Sequence, residues 1–318
     1  MIPPTKTFYR YRSFSTNTLD SLCHDSLHFA NPSTFNEPLD CKPTLECDSS
    51  LEQLRELHAQ LFERRVLAQK RVSLTKAGFH GGPKTDLLMA KRAKSEVARE
   101  LAEISYHATN PEHGDDPVKN EEWILTQEIR RELLNYYERG VCCFSTTSTS
   151  PLLWSHYGDE HHGICIGYGT DRDPKPNLEK VTYGGDRTIR TSTLVKALLH
   201  EEEQAKNELD RGVLLRKARG WSYEREWRLI GSQGMQESPL LLKEVIFGLR
   251  CPTSVKHAVV QALAGRHRPV RFYEISEVPN RFSLRREKLY ADDLERFLPH
   301  VAESVLEIFG LGFEDESA

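Results

Sequence analysis

The sequence lacks the glycine-rich phosphate-binding loops and the long apolar runs that are typical of several common protein classes. It contains no G-x-G-x-x-G and no G-x-x-x-x-G-K-[ST] pattern, the glycine-rich loops of widespread nucleotide-binding folds. Seven cysteines are present without a C-x-x-C pair, so neither a disulfide framework nor a zinc finger is indicated. The absence of any run of about eighteen apolar residues argues against a membrane-spanning helix.

Charge is nearly balanced, with 43 Lys and Arg residues against 47 Asp and Glu residues and a formal net charge of -4. Such a chain has no overall attraction to phosphate backbones, so contact with nucleic acid would need a local basic patch. Hydrophobic residues make up 38% of the 318 residues, which is enough for a buried core. The first residues contain no apolar run of signal-peptide length, so we expect a cytoplasmic protein without a membrane partner.

Short segments rich in β-branched and aromatic residues predict the strands. They occupy residues 1–48 and 141–290, with irregular connections instead of a repeated strand-helix alternation. This arrangement predicts an α+β fold whose core is a short-stranded mixed or antiparallel sheet. We expect a C-terminal helix and acidic tail at 291–318, one amphipathic helix at 191–219 and an edge strand at 273–277.

Residues 49–140 differ in composition from this core, with long runs of Leu, Ala, Glu, Lys and Arg. Leucines recur at helical spacing from Leu51 to Leu61. Glycine and proline clusters interrupt the pattern at 78–83 and 110–117. We therefore predict three helices that form an insertion into the core, with charged faces in solvent or docked on a partner protein.

An aromatic and basic strand opens the core. Side chains alternate along a strand, so Tyr9 and Tyr11 are predicted to share one face and Arg10 and Arg12 the other. Arginine offers a fixed fork of donors suited to phosphate or carboxylate, so an arginine here could hold a pyrophosphate. The alternative is an edge strand whose arginines are solvated or form a structural ion pair.

A second group of functional side chains lies in one predicted helical turn, which carries Trp154, His156 and Tyr157. Aromatic rings can sandwich a planar base or nicotinamide while His156 or Tyr157 supplies a hydrogen bond. Alternatively, Trp154 simply anchors the core. The side chains of the adjacent His161 and His162 diverge, so we expect no shared metal there.

The segment from Trp221 to Arg228 is the most informative of the three. If its end is extended, Glu224, Glu226 and Arg228 lie on one face. An acidic pair of this type can activate a nucleophile, orient a ribose hydroxyl or stabilise positive charge that develops at a sugar anomeric carbon. The alternative is a Glu-Arg ladder on an exposed sheet edge.

Six motifs, taken in order, resemble the bacterial domain-of-unknown-function family 2971. They are Tyr11-Arg12, Phe35-Asn-Glu-Pro-Leu-Asp40, Cys143-Phe-Ser145, Trp154-Ser-His-Tyr157, Gly163 and Tyr223-Glu-Arg-Glu-Trp-Arg228. The resemblance covers about residues 8–250 and is broken by the helical region 49–140. It identifies the chain as a member of a family whose name assigns no activity.

A weaker likeness is to ADP-ribosyltransferase folds, in which an early strand carries an arginine or histidine that grips NAD and a late strand carries a glutamate. Arg12, Tyr157 and Glu226 fall in that order. The likeness implies that Arg12 orients NAD, Tyr157 stacks on nicotinamide and Glu226 holds the ribose hydroxyl while nicotinamide leaves. Further residues are predicted to bind NAD: Tyr11, Arg10, Asn36, Trp154, His156, Glu224 and Arg228.

Three functional hypotheses follow. The first is an NAD-consuming transferase or glycohydrolase, with a protein or nucleic acid as acceptor and a role as a toxin or in phage defence; it requires its three catalytic residues to share one pocket. The second is a metal-dependent nuclease in which Glu37, Asp40, Glu224 and Glu226 surround a divalent ion, although the sequence has no strong metal signature. The third is a non-enzymatic binding module whose helical insertion docks a partner protein.

Overall fold

The structure, a computed structural model, describes residues 7–79, 81–135 and 139–290 together with Asp293 and Ile308. Two compact units share the chain, and each combines segments that are distant in sequence. Unit 1 consists of the described parts of Met1–Ser26, Phe144–Pro176 and Glu237–Ala318. Unit 2 consists of the described parts of Leu27–Cys143 and Asn177–Gln236.

The boundaries of these two units differ from those of the predicted core (1–48 and 141–290), insertion (49–140) and tail (291–318). The predicted division therefore stays a prediction. The C-terminal helix and acidic tail predicted for 291–318 lie outside the described residues, apart from two single positions.

The elements of the described residues are numbered in chain order. The helices are α1 (Thr16–Cys23), α2 (Leu51–Lys76), α3 (Pro83–Ala108), α4 (Pro117–Asn135), α5 (Pro151–Tyr157), α6 (Thr191–Leu194), α7 (Glu203–Leu214) and α8 (Thr253–Ala262). The strands are β1 (Phe8–Arg12), β2 (Ser26–Phe29), β3 (Thr44–Glu46), β4 (Arg139–Ser145), β5 (Ile164–Gly169), β6 (Leu178–Lys180), β7 (Thr182–Tyr183), β8 (Thr188–Arg190), β9 (Arg216–Lys217), β10 (Glu226–Ser232), β11 (Gly234–Glu237), β12 (Leu241–Phe247), β13 (Arg271–Glu277) and β14 (Leu284–Lys288).

Unit 1 is built on a mixed sheet with the strand order β14-β13-β12-β5-β1. Strands β12 and β13 are parallel, and the other neighbours in this order are antiparallel. Every residue of β5 is buried, as expected for a strand with both faces covered. The mixed sheet together with the helices confirms the predicted α+β class.

Unit 2 contains the three long helices α2, α3 and α4, which pack on one another and confirm the three helices predicted between 49 and 140. Their apolar core includes Leu54 and Leu57 of α2 and Leu125 and Ile129 of α4. The capping box of Ser50 and Gln53 explains where α2 begins, because it satisfies backbone N–H groups of the first turn. No helix among the described residues has the length and apolar content to cross a membrane.

Short strand pairs complete unit 2. Strand β3 pairs with β8 and β7 with β9, both in parallel, while β10 pairs with β6 in the antiparallel direction. These pairs are only two or three residues long, so their side chains show no periodicity that a sequence window could detect.

The prediction of one helix over 191–219 is wrong. The structure divides this stretch into α6, a π-helical turn at Val195–Leu199, α7, the strand β9 and the start of a 3-10 helix. Glu201 has a φ of 55°, in the left-handed region that a continuing right-handed helix cannot use. The edge position predicted for 273–277 is also wrong, because β14 pairs with β13 along its whole length.

Gly163 precedes β5 at a point where backbone segments meet. A Cβ atom there would overlap the carbonyl oxygen of Arg12 and lie 2.9 Å from that of Gly158. Backbone atoms, unlike the end of a flexible side chain, cannot rotate away from the added methyl group. We therefore expect Gly163→Ala to lower the free energy of unfolding, measured by urea denaturation, by about 1–3 kcal/mol. In the control Gly220→Ala, no atom lies within 4 Å of the added Cβ, and the change should stay within about 0.5 kcal/mol. Equal effects of the two substitutions would contradict this packing.

Candidate functional site

Five buried charged side chains form a network in unit 2. Asp40 lies in the turn before β3, Lys217 on β9, Glu224 at the end of the 3-10 helix Arg219–Glu224, and Glu226 and Arg228 on β10. None of the five is more than 9% exposed. Charges at this depth persist only when they are paired and hydrogen-bonded. We call these five residues the ion network.

Arg228 is completely buried and uses its whole guanidinium group. Its Nη2 donates to the two carboxylate oxygens of Asp40 at 3.0 and 2.8 Å, and its Nε donates to Oε1 of Glu226 at 2.7 Å. Its Nη1 donates to the carbonyl oxygen of Leu214 at 2.6 Å and to Sγ of Cys41 at 3.1 Å. Because these bonds join three chain segments, the cofactor contact predicted for Arg228 would require them to rearrange.

Lys217 is the second cation of the ion network. Its Nζ lies 2.6 Å from Oε2 of Glu224, 3.2 Å from Oε2 of Glu226 and 3.4 Å from Oδ2 of Asp40. The same Nζ lies 5.1 Å from the centroid of the Trp221 ring, within range of a cation–π interaction. Three carboxylates therefore converge on one ammonium group.

The pKa shifts in the ion network keep its central groups charged. Burial favours the neutral form of Glu226, but Arg228 and Lys217 outweigh it and lower the pKa of Glu226 from its ordinary 4.5 to about 2. Burial likewise opposes the charge of Lys217, but Glu226 and Glu224 raise its pKa above the ordinary value. The three carboxylates and two cations carry a formal excess of one negative charge.

Neutral groups also hold Glu226. The Cys143 thiol hydrogen-bonds to its carboxylate, and the backbone N–H of Glu226 donates to the Tyr183 hydroxyl at 2.7 Å. Burial, with Glu226 next in effect, raises the pKa of Cys143 well above its ordinary value. Glu226 is thus fixed from several directions at 4% exposure, and its catalytic role stays a prediction.

Glu224, Glu226 and Arg228 lie on one side, as predicted, although no single extended strand places them there. Residues Arg219–Glu224 form a 3-10 helix, and Arg225 has a left-handed backbone with a φ of 48°. This turn leaves Arg225 exposed and brings Glu224 and Glu226 to the same ammonium group. The alternative of a ladder on an exposed sheet edge is wrong, because both glutamates are only 4% exposed.

The carboxylates of the nuclease hypothesis meet only in part. Asp40, Glu224 and Glu226 surround one point, as a divalent ion would require, but the ammonium group of Lys217 takes that position. Glu37 instead accepts a hydrogen bond from a backbone N–H of its own loop at 3.0 Å. This arrangement argues against a metal-dependent nuclease centre.

In unit 1, Trp154 is a core residue with no exposed surface. Its Nε1 donates to the carbonyl oxygen of Ser148 at 2.9 Å, and its ring stacks on that of His161 with centroids 6.1 Å apart. Tyr11 meets the indole edge-on at 5.1 Å. The structure therefore supports the interpretation of Trp154 as a core anchor.

The other residues predicted to contact NAD differ in exposure: Arg10, Arg12 and Tyr157 are half-buried, while His156 and Asn36 are exposed. Arg12 and Tyr157 belong to unit 1, and Glu226 belongs to unit 2. The convergence of these three on one pocket stays a prediction.

A cleft of about 1170 Å³ lies within unit 2, with walls from β6, β8, α7 and β9. Its charged lining residues are Lys180, Arg190, Arg211 and Arg216 against Glu179 and Glu208, which gives a formal excess of two positive charges. Hydroxyl and amide groups come from Asn177, Thr182, Thr188, Thr193, Gln204 and Asn207. We call this the basic cleft.

The basic cleft and the ion network lie on opposite faces of one strand pair. In β7 and β9, Thr182 pairs with Arg216 and Tyr183 pairs with Lys217. Side chains alternate along a strand, so the first pair lines the cleft, whereas Lys217 belongs to the ion network and Tyr183 contacts its member Glu226. The ion network therefore fixes the backbone that presents Arg216 to the cleft.

Sequence reasoning missed Lys217 and the basic cleft. Lys217 lies in the stretch predicted to be a single helix, so its position on a strand was not predicted. Arg190, Arg211 and Arg216 come from three different elements, so no local spacing connects them. Residues 177–216 contain seven basic and seven acidic residues, so the local net charge gives no sign of a basic cleft.

Residues 153–229 match the family model described as Protein of unknown function (DUF2971). This segment belongs to DUF2971. The DUF2971 segment contains the whole lining of the basic cleft and every member of the ion network except Asp40. It is shorter than the predicted span of 8–250. No curated protein and no solved structure matches the chain, and the likeness to ADP-ribosyltransferase folds stays a prediction.

Proposed function

We propose that the chain binds NAD, or a closely related nucleotide, in the basic cleft and consumes it as an ADP-ribosyltransferase or NAD glycohydrolase. The observation that carries the proposal is the excess of positive charge in a large polar cleft inside the DUF2971 segment. The acceptor of a transferase reaction would be a protein or a nucleic acid. Such an activity fits a toxin or a phage-defence effector.

The cations of the cleft suit a pyrophosphate. Arginine side chains can bind two phosphate oxygens at once through parallel N–H groups. Arg211 and Arg190 are 70% and 68% exposed at the side chain, and each has an acidic partner, at 3.3 Å in Glu179 and 3.5 Å in Glu46. Exposed ion pairs of this kind are weak, so a phosphate group could replace the carboxylates at small cost.

The size and polarity of the cleft suit a dinucleotide. Ligand pockets commonly enclose about 300–1,000 Å³, and this cleft, at about 1170 Å³, has room for two nucleoside groups. Its threonine hydroxyls and its asparagine and glutamine amides can donate to and accept from ribose hydroxyls and base edges. None of the three residues predicted to be catalytic lines the cleft, since Glu226 belongs to the ion network and Arg12 and Tyr157 belong to unit 1. The cleft therefore supports the nucleotide binding of the proposal, and the catalytic roles of Arg12, Tyr157 and Glu226 stay predictions.

Arg211→Gln should weaken NAD binding about tenfold, because it removes one charge-assisted phosphate contact from the cleft. Isothermal titration calorimetry of the full chain measures the change, and release of nicotinamide measures turnover. The matched control is Lys206→Gln, on the same helix but outside the lining of the cleft. Equally strong binding of NAD by both variants would show that NAD does not bind in the cleft. Wild-type protein that neither binds NAD nor releases nicotinamide would contradict the whole proposal.

A further inference from the structure

The long helices of unit 2 bring together three potential metal ligands, none of which belongs to the ion network. His58 lies on α2, Glu100 on α3 and Glu128 on α4. One ligand atom of each residue lies within 4.8 Å of the other two. Among the described residues, these three side chains are therefore close enough together to hold one metal ion.

His58 is the unusual member of the group. Its side chain is completely buried, yet neither ring nitrogen has a hydrogen-bond partner. A buried imidazole normally satisfies at least one nitrogen, because an unpaired polar atom in the interior is costly. Its ring contacts Phe62 at a centroid distance of 5.7 Å, a contact that uses no nitrogen. An imidazole nitrogen without a partner is available as a ligand atom.

Two arginines lie near the three residues, and each is paired with a carboxylate. Arg65 is itself paired with Glu132 at 2.9 Å. Arg131 forms an ion pair with Glu128, but its side chain is 56% exposed and can move into solvent when a stronger cation binds.

We propose that His58, Glu100 and Glu128 bind one divalent transition-metal ion of the Zn²⁺ type. One imidazole nitrogen with two carboxylate oxygens suits such an ion, whereas an all-oxygen set would favour Mg²⁺ or Ca²⁺. Ligands of a tetrahedral ion at about 2.1 Å are about 3.4 Å apart, so small rotations of the glutamates close the site. Three protein ligands leave a fourth position for water, and the ion ties α2, α3 and α4 together.

The spacing explains why the sequence shows no metal motif. The ligands are separated by whole helices, so no short pattern of the kind found in zinc fingers or metalloproteases exists. The site is independent of the proposed nucleotide function, since it shares no residue with the basic cleft or the ion network.

The test is a titration of the full chain, stripped with a chelator, with Zn²⁺ and with Co²⁺. We expect one Zn²⁺ per chain by calorimetry, a higher melting temperature with Zn²⁺, visible absorption bands of bound Co²⁺, and no comparable effect of Mg²⁺ at the same concentration. Glu100→Gln and His58→Leu should each weaken Zn²⁺ binding by at least about 100-fold.

Two substitutions serve as matched controls: Glu103→Gln and His107→Gln, both on exposed positions of α3, should bind Zn²⁺ as the wild type does. His58→Leu also replaces an unpaired imidazole by an apolar side chain, so its metal-free form should melt no lower than the wild type. If His58→Leu does not fold, the half-buried Glu100→Gln still decides the matter. A wild-type chain without stoichiometric Zn²⁺ binding, or binding that Glu100→Gln leaves unchanged, would overturn the proposal.

Discussion

Replacing Arg228 by methionine should lower the free energy of unfolding by about 3–5 kcal/mol. The substitution keeps an unbranched side chain in the core but removes the cation bound to Asp40 and Glu226. Two carboxylates would then share the ammonium group of Lys217 with Glu224, in a region from which water is excluded. The loss is far larger than that of a surface ion pair, because the carboxylates left behind stay buried.

Urea denaturation at pH 7 measures this loss, and Arg225→Met provides the control, since Arg225 is exposed and only three positions away. The control should change stability by less than about 0.5 kcal/mol. Adding Glu226→Gln to Arg228→Met should recover part of the loss, because it removes one of the unpaired charges. A loss below about 1 kcal/mol in Arg228→Met would contradict the closed ion network.

Acid should destabilise the protein through Glu226. Its pKa is lowered from 4.5 to about 2 in the folded state, so its contribution is fully present above about pH 5 and is lost as the pH falls toward 2. At about 1.4 kcal/mol per pKa unit, the shift corresponds to about 3 kcal/mol. The free energy of unfolding, measured in urea from pH 7 to pH 3, should therefore fall steeply below pH 5.

Glu226→Gln should flatten this pH dependence, although it lowers stability at pH 7 by leaving Arg228 one carboxylate short. Glu56→Gln, an exposed substitution on α2, should leave the slope as in the wild type. A slope between pH 5 and pH 3 that is the same in Glu226→Gln and in the wild type would show that Glu226 is not held by the two cations.

Local patterns predicted much of the fold. Leucine spacing predicted the long helices, and aromatic and β-branched runs predicted strands such as Phe8–Arg12 and Glu226–Ser232 in outline. The predictions were wrong where a backbone turn or the pairing with a neighbouring strand overrides the secondary-structure propensity of the local sequence. The left-handed residue Glu201 interrupts an amphipathic pattern, and the highly charged β14 forms a strand because β13 offers it an edge.

The candidate site was predictable only in part. Glu224, Glu226 and Arg228 stood out because they are adjacent, and the structure places them together. The nuclease hypothesis groups Asp40 with Glu224 and Glu226, although around a divalent ion. Lys217, the cation that these three carboxylates share, could not be assigned to them from sequence, because its partners depend on how distant segments pack. The sequence leaves Trp154 open between an NAD contact and a core anchor, because an aromatic residue in a dense motif gives no sign of its own burial. Its complete burial supports the core anchor.

The most direct test of the proposed nucleotide site is photoaffinity labelling of the full chain with an azidoadenine analogue of NAD, followed by peptide mapping. The proposal predicts labelled peptides between 177 and 216, with labelling that unmodified NAD prevents and that Arg211→Gln reduces. Labelling confined to peptides outside 177–216, or labelling that NAD does not compete, would contradict the assignment of the basic cleft.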